Sequence, residues 1–284
     1  MADTWQTLKE WPELRLERLS DAGVARITLN RPEKRNALTG TLIEAFFEAL
    51  EIIRADADLK AVITKGAGPV FSSGMDLHYL RSVSVGVAPL PDWDRVQLNI
   101  RLTEALRDFP RILIAQVHGY CLGASFALMN VHDLVFAADN AQIGMPEIPR
   151  GSFGQIATST MYHSGMSMKK ASLLALTAKN LTGREADQVG LISMAVPAAE
   201  LESTTNRIAR EIASRHMAPL QHHKIAVQLG RDLPLETALR IDQLVGARQA
   251  RFIDPVEHVE DYLKSQKGGP KFDEKSGYKR PDVK

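Results

Sequence analysis

The feature that most constrains the fold is a series of short apolar runs, several of which lead into glycine turns. Four of these runs predict strands, at residues 24–29, 60–65, 111–117 and 134–138. Runs of this length fit strands better than helices, because helices normally extend over ten residues or more. Helical patterns lie between several of the runs, and strands that alternate with helices predict a mixed α/β core.

The helical patterns are concentrated in the second half of the chain. Between residues 42 and 53, apolar side chains recur at helical spacing, and either Thr39 or Thr41 could cap that helix. Further helices are predicted at residues 124–130, 169–178, 184–189, 201–217, 235–252 and 256–264. This order predicts an α/β core that is followed by a helical C-terminal region.

The charge balance argues against a nucleic-acid partner. The 284 residues include 35 Lys and Arg and 34 Asp and Glu, a formal net charge of +1, whereas nucleic-acid-binding domains are usually clearly basic. The single cysteine, Cys121, excludes an intrachain disulfide and a Cys-rich zinc module. The histidines show no metal-ligand spacing, so we expect no metal site.

No stretch approaches the roughly 18 consecutive apolar residues of a membrane-spanning helix. Even the most apolar region, residues 112–131, is interrupted by Gln116, His118 and Asn130. The first residues carry charges throughout and lack the apolar segment of a signal peptide. We therefore expect no membrane association and a cytoplasmic location.

Two glycine-containing turns are candidates for binding a negatively charged oxygen. One extends from Phe71 to Leu77 after a strand, and the other extends from Gly119 to Ser125 between a strand and a helix. Small residues let backbone N–H groups approach a ligand, and two N–H groups that point at one oxygen form an oxyanion hole. Either turn alone also fits a tight turn that is needed only for packing.

A candidate acid–base residue follows these turns in the sequence. Glu147 comes directly after Pro146 and has apolar neighbours on both sides. Desolvation in such surroundings raises the pKa of a carboxyl group, which suits a general base. An exposed loop glutamate is the alternative interpretation of this segment.

Four sequence blocks in a fixed order carry a resemblance to a known family. They are RPEKRNAL (31–38), FSSGMDL (71–77), VHGYCLGASFALMNVHDLVFAADNAQIGMPE (117–147) and LTGREADQVGLI (181–192). Together they closely resemble the crotonase, or enoyl-CoA hydratase/isomerase, family, and the resemblance covers residues 12–267.

This resemblance implies a fold, a ligand and an assembly. It implies an α/β fold in which a spiral of ββα units over residues 12–200 binds acyl-CoA. A helical trimerisation region over residues 201–267 and a charged tail over 268–284 follow. The implied ligand is a coenzyme A thioester, and the implied assembly is a homotrimer or a dimer of trimers. No cofactor is implied beyond the coenzyme A of the substrate.

The resemblance also implies roles for individual residues. The backbone N–H groups of Met75 and Ala124 match the pair that holds the thioester oxygen, and Glu147 matches the residue that moves the proton. The positions that match substrate-binding residues are Ala37, Leu38, Ser73, Asp76 and Leu77. Lys264 and Lys267 lie in a C-terminal region that approaches the nucleotide phosphates in relatives.

One departure from the family pattern bears on the reaction. Hydratases of this family usually carry two glutamates, of which the second matches Glu147 and the first falls at Ala127. Family isomerases keep only the glutamate that matches Glu147. The resemblance therefore implies an enoyl-CoA hydratase or a Δ3-Δ2 enoyl-CoA isomerase with a single catalytic glutamate.

Other reactions on the same scaffold stay open as alternatives. Hydratase-lyases that act on hydroxycinnamoyl-CoA also lack the first glutamate, but Ile241 and Gln243 occupy the region where their active-site tyrosine is expected. Thioester hydrolysis, decarboxylation and non-catalytic acyl-CoA binding are further alternatives. The acyl group is left open, because residues 148–155 depart from the family pattern and the loop at 81–94 is expected to be enlarged. His163 is either a second acid–base group or a packing or capping residue of a helix.

Overall fold

A computed structural model describes residues 3–85, 98–253 and 259 of the chain. The chain divides into two compact units, residues 1–221 and residues 222–284. The boundaries expected from the resemblance, after residues 200 and 267, stay predictions. Across the described ranges, no helix combines the length and the apolarity that crossing a membrane requires.

Short strands and helices alternate along the first two thirds of the chain, and helices follow. The strands are β1 (Trp5–Trp11), β2 (Leu14–Leu19), β3 (Val24–Leu29), β4 (Ala61–Gly66), β5 (Ile112–Val117), β6 (Tyr120–Leu122), β7 (Leu134–Ala138), β8 (Gln142–Gly144), β9 (Leu181–Thr182) and β10 (Met194–Val196). The helices are α1 (Gly40–Ala55), α2 (Leu77–Val85), α3 (Leu98–Arg107), α4 (Ala124–Asn130), α5 (Gln155–Tyr162), α6 (Met168–Thr177), α7 (Gly183–Gln188), α8 (Leu201–Ala213), α9 (Met217–Gly230) and α10 (Leu235–Gln249).

The four predicted strands form the centre of a large sheet. Within the described residues, the strand order of this sheet is β1-β2-β3-β4-β5-β7-β10. The β1–β2 and β2–β3 pairs are antiparallel, and all pairs from β3–β4 to β7–β10 are parallel. Every residue of β3 and of β5 is buried, as expected for parallel strands that are covered on both faces. The prediction of a mixed α/β core is confirmed.

An N-terminal hairpin of β1 and β2 adds two strands that the sequence pattern does not predict. Strand β1 forms one edge of the sheet, and most of its residues are exposed. Its exposed residues include charged Lys9 and Glu10. An exposed edge strand has little apolar periodicity, because only part of one face packs against the protein.

A second, smaller sheet produces the spiral. It has the order β6-β8-β9, and its first two strands, β6 and β8, directly follow β5 and β7 of the large sheet in sequence. Thus β5, β6 and α4 make one ββα turn, and β7, β8 and α5 make the next. The expected crotonase-like ββα spiral is confirmed, and it brings the end of β6 beside the end of β8.

Several helix boundaries differ from the prediction. Helix α1 begins after Thr39, whose hydroxyl oxygen accepts a hydrogen bond from the Leu42 N–H at 3.1 Å, so Thr39 and not Thr41 is the cap. The helix predicted at 201–217 ends at Ala213, and α9 begins at Met217. Helix α2 extends to Val85, so the loop expected at 81–94 begins as helix. The rest of that loop, and the helix predicted at 256–264 apart from Val259, lie outside the described residues.

Candidate active site

The two glycine turns lie side by side. Ser72 in the first turn and Cys121 in β6 form an isolated parallel bridge. The Ser72 N–H donates to the Tyr120 carbonyl oxygen at 3.0 Å, and the Leu122 N–H donates to the Ser72 carbonyl oxygen at 3.2 Å. The spiral therefore joins two segments that are about 50 residues apart in the sequence.

Each turn contains a glycine in a conformation that other residues rarely adopt. Gly74 has a φ of +91° and Gly123 has a φ of +60°. A Cβ atom on Gly74 would stand 2.5 Å from the Leu122 carbonyl oxygen and 3.2 Å from the Ala124 nitrogen. Glycine is thus required for the close approach of the turns as well as for the backbone angle.

The amides that follow these glycines are available to a ligand. Ala124 is the first residue of α4, where a helix leaves its N–H groups without intrahelical partners. Met75 and Leu38 form an isolated parallel bridge. In this bridge the Leu38 N–H donates to the Gly74 carbonyl oxygen at 2.8 Å, and the Asp76 N–H donates to the Leu38 carbonyl oxygen at 2.9 Å. The Met75 N–H takes no part in it. Among the described residues, neither the Met75 amide nor the Ala124 amide donates a backbone hydrogen bond.

Glu147 lies against the second turn. Its Oε1 atom is 2.9 Å from the position of a Cβ atom on Gly123, and its Cδ atom is 3.2 Å from the corresponding position on Gly154. The Gly123 N–H donates to the carbonyl oxygen of Gly144, the last residue of β8, at 3.0 Å. The carboxylate is thus packed between two glycines, and one of them directly precedes Ala124.

The Glu147 carboxyl group is partly desolvated, and one of its two oxygens lacks a partner among the described residues. Its Oε2 atom is buried and has no hydrogen-bond partner among the residues that the structure describes. Burial raises the pKa of this carboxyl group above the ordinary glutamate value, and a hydrogen bond from its own backbone amide and the positive charge of Arg150 offset only part of that rise. Because a buried carboxylate oxygen without a partner destabilises a fold, its presence near two available amides indicates a functional site.

A family model described as enoyl-CoA hydratase/isomerase matches residues 20–275. This chain belongs to the enoyl-CoA hydratase/isomerase family. A hydroxycinnamoyl-CoA hydratase-lyase from Pseudomonas fluorescens is 30% identical over 228 residues, which cover 80% of this chain and 82% of that protein. An enoyl-CoA delta isomerase 2 from Rattus norvegicus is 33% identical over 184 residues, which cover 65% of this chain and 46% of that protein.

A solved structure shares this fold over most of both chains. It is an enoyl-CoA hydratase from Geobacillus kaustophilus, with 26% identity and a TM-score of 0.83 over 92% of this chain and 97% of that chain. The resemblance stated from the four sequence blocks is confirmed, and an acyl-CoA activity of this family is supported.

The position of the first family glutamate is filled by a core residue. Ala127 is only 3% exposed and packs in α4 as part of the hydrophobic core. The pKa of Glu147 is shifted by its own burial, its own backbone amide and Arg150, and no second carboxylate among the described residues contributes. Glu147 is therefore the carboxylate that lies against the second turn, whereas the Asp76 carboxylate of the first turn is engaged by Arg31.

Two side chains of the RPEKRNAL block, residues 31–38, form hydrogen bonds and ion pairs with residues in and next to the first turn. Arg31 pairs with Asp76 at 2.7 Å and with Glu13 at 3.0 Å, and its hydrogen bond lowers the pKa of the Asp76 carboxyl group. Asn36 is fully buried, and its side-chain amide donates to the carbonyl oxygens of Ala67 and Val70, each at 2.8 Å. These two residues are positioning groups that the sequence analysis did not single out, although both lie inside a block that it quoted.

The residues expected to bind substrate are brought together around Met75. Ala37 and Leu38 are buried, whereas Leu77 is 62% exposed at the start of α2. The carboxylate of Asp76 is already engaged by Arg31 and by the N–H groups at the start of α2. Contact of Ala37, Leu38, Ser73, Asp76 and Leu77 with a ligand stays a prediction.

The remaining candidates contribute less to this site. The His163 Nδ1 atom bonds the Ser159 carbonyl oxygen at 2.8 Å at the end of α5, in agreement with the capping interpretation. Burial raises the pKa of the Cys121 thiol to about 12, which keeps the thiol protonated. Lys264 and Lys267 lie outside the described residues. Within the described ranges, no group of three or more His, Cys, Asp or Glu side chains could hold a metal ion.

Proposed function

We propose that this chain is a single-glutamate acyl-CoA enzyme that isomerises a 3-enoyl thioester to the conjugated 2-enoyl thioester. The observation that carries the proposal is the Glu147 carboxylate, whose Oε2 atom is buried without a partner among the described residues and which packs against Gly123 in the turn that carries the available Ala124 amide, with the available Met75 amide in the adjoining turn. The family membership supplies the thioester as the substrate class.

In the proposed reaction, the Glu147 carboxylate removes a proton from the α-carbon of the 3-enoyl thioester. The electron pair of the broken C–H bond moves into the thioester carbonyl group and forms a dienolate, whose oxygen accepts hydrogen bonds from the Met75 and Ala124 amides. The protonated Glu147 then returns the proton to the γ-carbon, and the double bond ends between the α- and β-carbons. No atom is gained or lost, so one acid–base residue is sufficient.

Isomerisation is favoured over hydration because of Ala127. Hydration needs a base for the water and an acid for the α-carbon, and two carboxylates divide that work in the usual hydratases of the family. Here the position of the first of these carboxylates holds the buried methyl group of Ala127. The relative named enoyl-CoA delta isomerase 2, at 33% identity, is consistent with this preference.

A second candidate is a hydratase-lyase reaction on an aryl-substituted enoyl thioester. The relative named hydroxycinnamoyl-CoA hydratase-lyase favours it, with 30% identity over 80% of this chain. The positions expected for the tyrosine of such enzymes hold Ile241 and Gln243, which argues against it. Other proton transfers through a thioester enolate, hydrolysis and non-catalytic binding remain as outcomes of the test.

We expect the enzyme to act in the cytoplasm as a homotrimer or a dimer of trimers, with Ala37, Leu38, Ser73, Asp76 and Leu77 lining the thioester channel. Neither a metal ion nor a redox cofactor takes part in the proposed proton transfer. Sedimentation analysis of the purified protein measures the assembly.

The test presents purified enzyme with 3-hexenoyl-CoA, 2-hexenoyl-CoA and 4-coumaroyl-CoA and identifies the products by mass spectrometry and NMR. We expect 3-hexenoyl-CoA to be converted to 2-hexenoyl-CoA, and we expect little hydration of 2-hexenoyl-CoA. Release of an aryl aldehyde from 4-coumaroyl-CoA would instead establish the hydratase-lyase reaction. Binding of all three thioesters without turnover would refute an enzymatic role.

A further inference from the structure

We infer that Ser125 is a positioning residue of this site, whose hydroxyl group sets the spacing between the amides of Met75 and Ala124. This inference rests on the proposed function, because that function assigns the two amides to the thioester oxygen. Ser125 does not face the ligand side of the turns, and it acts through the backbone segments that carry the two amides.

Ser125 lies at the junction of the two turns. It is the second residue of α4 and is fully buried. Its Oγ atom accepts a hydrogen bond from the Leu122 N–H at 2.8 Å. The same oxygen lies 2.8 Å from the Ser72 carbonyl oxygen and 2.8 Å from the Leu122 carbonyl oxygen. Because a hydroxyl group has one proton, it donates to one of these two carbonyl groups at a time.

These partners precede the two amides by only a few residues. Ser72 is three residues before Met75, and its own hydroxyl oxygen accepts a hydrogen bond from the Gly74 N–H at 3.2 Å. Leu122 is two residues before Ala124, and its carbonyl oxygen faces Gly74. The Ser125 hydroxyl therefore connects the backbone that leads to one amide with the backbone that leads to the other.

The backbone alone provides a longer contact between the turns. Two backbone hydrogen bonds join the turns, from the Leu122 N–H to the Ser72 carbonyl oxygen at 3.2 Å and from the Ser72 N–H to the Tyr120 carbonyl oxygen at 3.0 Å. The Ser125 hydroxyl oxygen lies closer to the first turn, at 2.8 Å from the Ser72 carbonyl oxygen. Without the hydroxyl group, the turns keep the two backbone bonds and lose this shorter one. An oxyanion hole depends on both donors lying about 2.7–3.1 Å from the developing negative charge, so a small displacement of one turn weakens catalysis.

The test compares Ser125→Ala with Thr205→Val in the full-length protein. Thr205 provides a matched control, because it is also fully buried and its hydroxyl group donates to the Leu201 carbonyl oxygen at 2.7 Å, within α8. Both variants remove one buried hydroxyl group, but only Ser125→Ala removes a link between the turns. The measurements are the melting temperature, kcat and KM for 3-hexenoyl-CoA, and the infrared carbonyl band of bound butyryl-CoA labelled with 13C at the thioester carbon.

We expect Ser125→Ala to lower kcat roughly tenfold to a hundredfold while KM changes little, because the lost positioning matters most in the transition state. The carbonyl band of bound butyryl-CoA is expected to shift toward its position in the free thioester. Thr205→Val is expected to lower the melting temperature without changing kcat or the band. Equal kcat values and equal band positions in the two variants would overturn the role of Ser125.

Three further outcomes complete the test. If Ser125→Ala does not fold, Ser125→Cys retains a weaker donor, and a band at the wild-type position together with wild-type kcat overturns the inference. If the wild-type enzyme binds butyryl-CoA but does not convert 3-hexenoyl-CoA, the isomerase reaction fails while the band still tests Ser125. If the wild-type enzyme does not bind butyryl-CoA, the proposed function and the inference fail together.

Discussion

The Oε1 atom of Glu147 lies 2.9 Å from the position that a Cβ atom on Gly123 would occupy. A methyl group at residue 123 therefore displaces the carboxylate, the turn or both. Since residue 123 directly precedes the Ala124 amide, this contact couples the position of the base to the position of the amide.

Gly123→Ala is expected to lower kcat/KM roughly 100-fold, because a shift of about 1 Å in a reacting group has an effect of that size. The control is Gly151→Ala, where φ is also positive, at +79°, but no atom lies within 4 Å of the added methyl group. That control is expected to lose about 1–2 kcal/mol of stability from the backbone angle and to keep its activity. Similar kinetic losses in the two variants would contradict the proposed contact.

Replacing Glu147 by Gln is expected to reduce turnover of 3-hexenoyl-CoA roughly 10²- to 10⁴-fold, because the amide cannot accept the α-proton. Binding of butyryl-CoA is expected to persist, since the backbone amides are unchanged. The matched control is Glu51→Gln on the exposed face of α1, whose carboxylate pairs only with Arg54 among the described residues. Full turnover by the Glu147 variant would show that another group moves the proton.

The pH dependence of activity follows from the desolvated carboxyl group. Because burial raises the pKa of Glu147, the active carboxylate form is lost at a higher pH than for an ordinary glutamate. The acidic limb of the kcat/KM profile is therefore expected above the ordinary glutamate pKa of 4.5. A limb at or below 4.5 in the free enzyme would show that the carboxyl group is solvated.

The same pKa shift has a consequence for stability. A carboxyl group whose pKa is higher in the folded state stabilises the fold below its unfolded pKa, and this stabilisation is lost as the pH rises through the folded pKa. Glu147→Gln lacks this loss, so its melting temperature relative to wild type is expected to rise between acidic and neutral pH. Melting curves across that range measure the difference, and a constant difference would contradict the shift.

Asn36 is expected to be a large contributor to the stability of the first turn. Its side chain bonds three backbone groups, two as donor and one as acceptor from the Arg31 N–H at 2.9 Å, and its φ is +52°. Asn36→Ala leaves buried carbonyl groups unpaired and is expected to lower the free energy of unfolding by about 2–4 kcal/mol.

Asn130→Ala is the control for this variant, because the Asn130 Nδ2 atom is buried without a partner among the described residues. Its replacement is expected to lower the free energy of unfolding much less. Urea titrations of the two variants measure the difference, and equal losses would show that the Asn36 hydrogen bonds are not responsible.

The central strands were predictable because their signal is local. Strands β3, β4, β5 and β7 are short apolar runs, the first three with glycine or proline close by, and the structure places their ends within one residue of the predicted positions. Strand β1 was not predictable in this way, since an exposed edge strand lacks a continuous apolar face. The break between α8 and α9 was also missed, because no proline or glycine marks residues 214–216.

Sequence alone determined which residues we propose to carry the chemistry of this protein. The two glycine turns and Glu147 were identified because small residues let backbone N–H groups approach a ligand, because carboxyl groups take up protons, and because their order resembles that of a family. These are properties of residue types and spacing, and they do not depend on neighbours that are distant in the chain.

Tertiary structure decided whether those residues form one site. The stacking of successive ββα turns brings Gly74 beside Ala124 and places the Glu147 carboxylate against Gly123. The burial that raises the pKa of Glu147 and leaves its Oε2 atom without a partner among the described residues arises only when β6, β8 and α5 pack together. Desolvation and the link through the Ser125 hydroxyl depend on contacts between distant segments, and only the folded chain establishes these contacts.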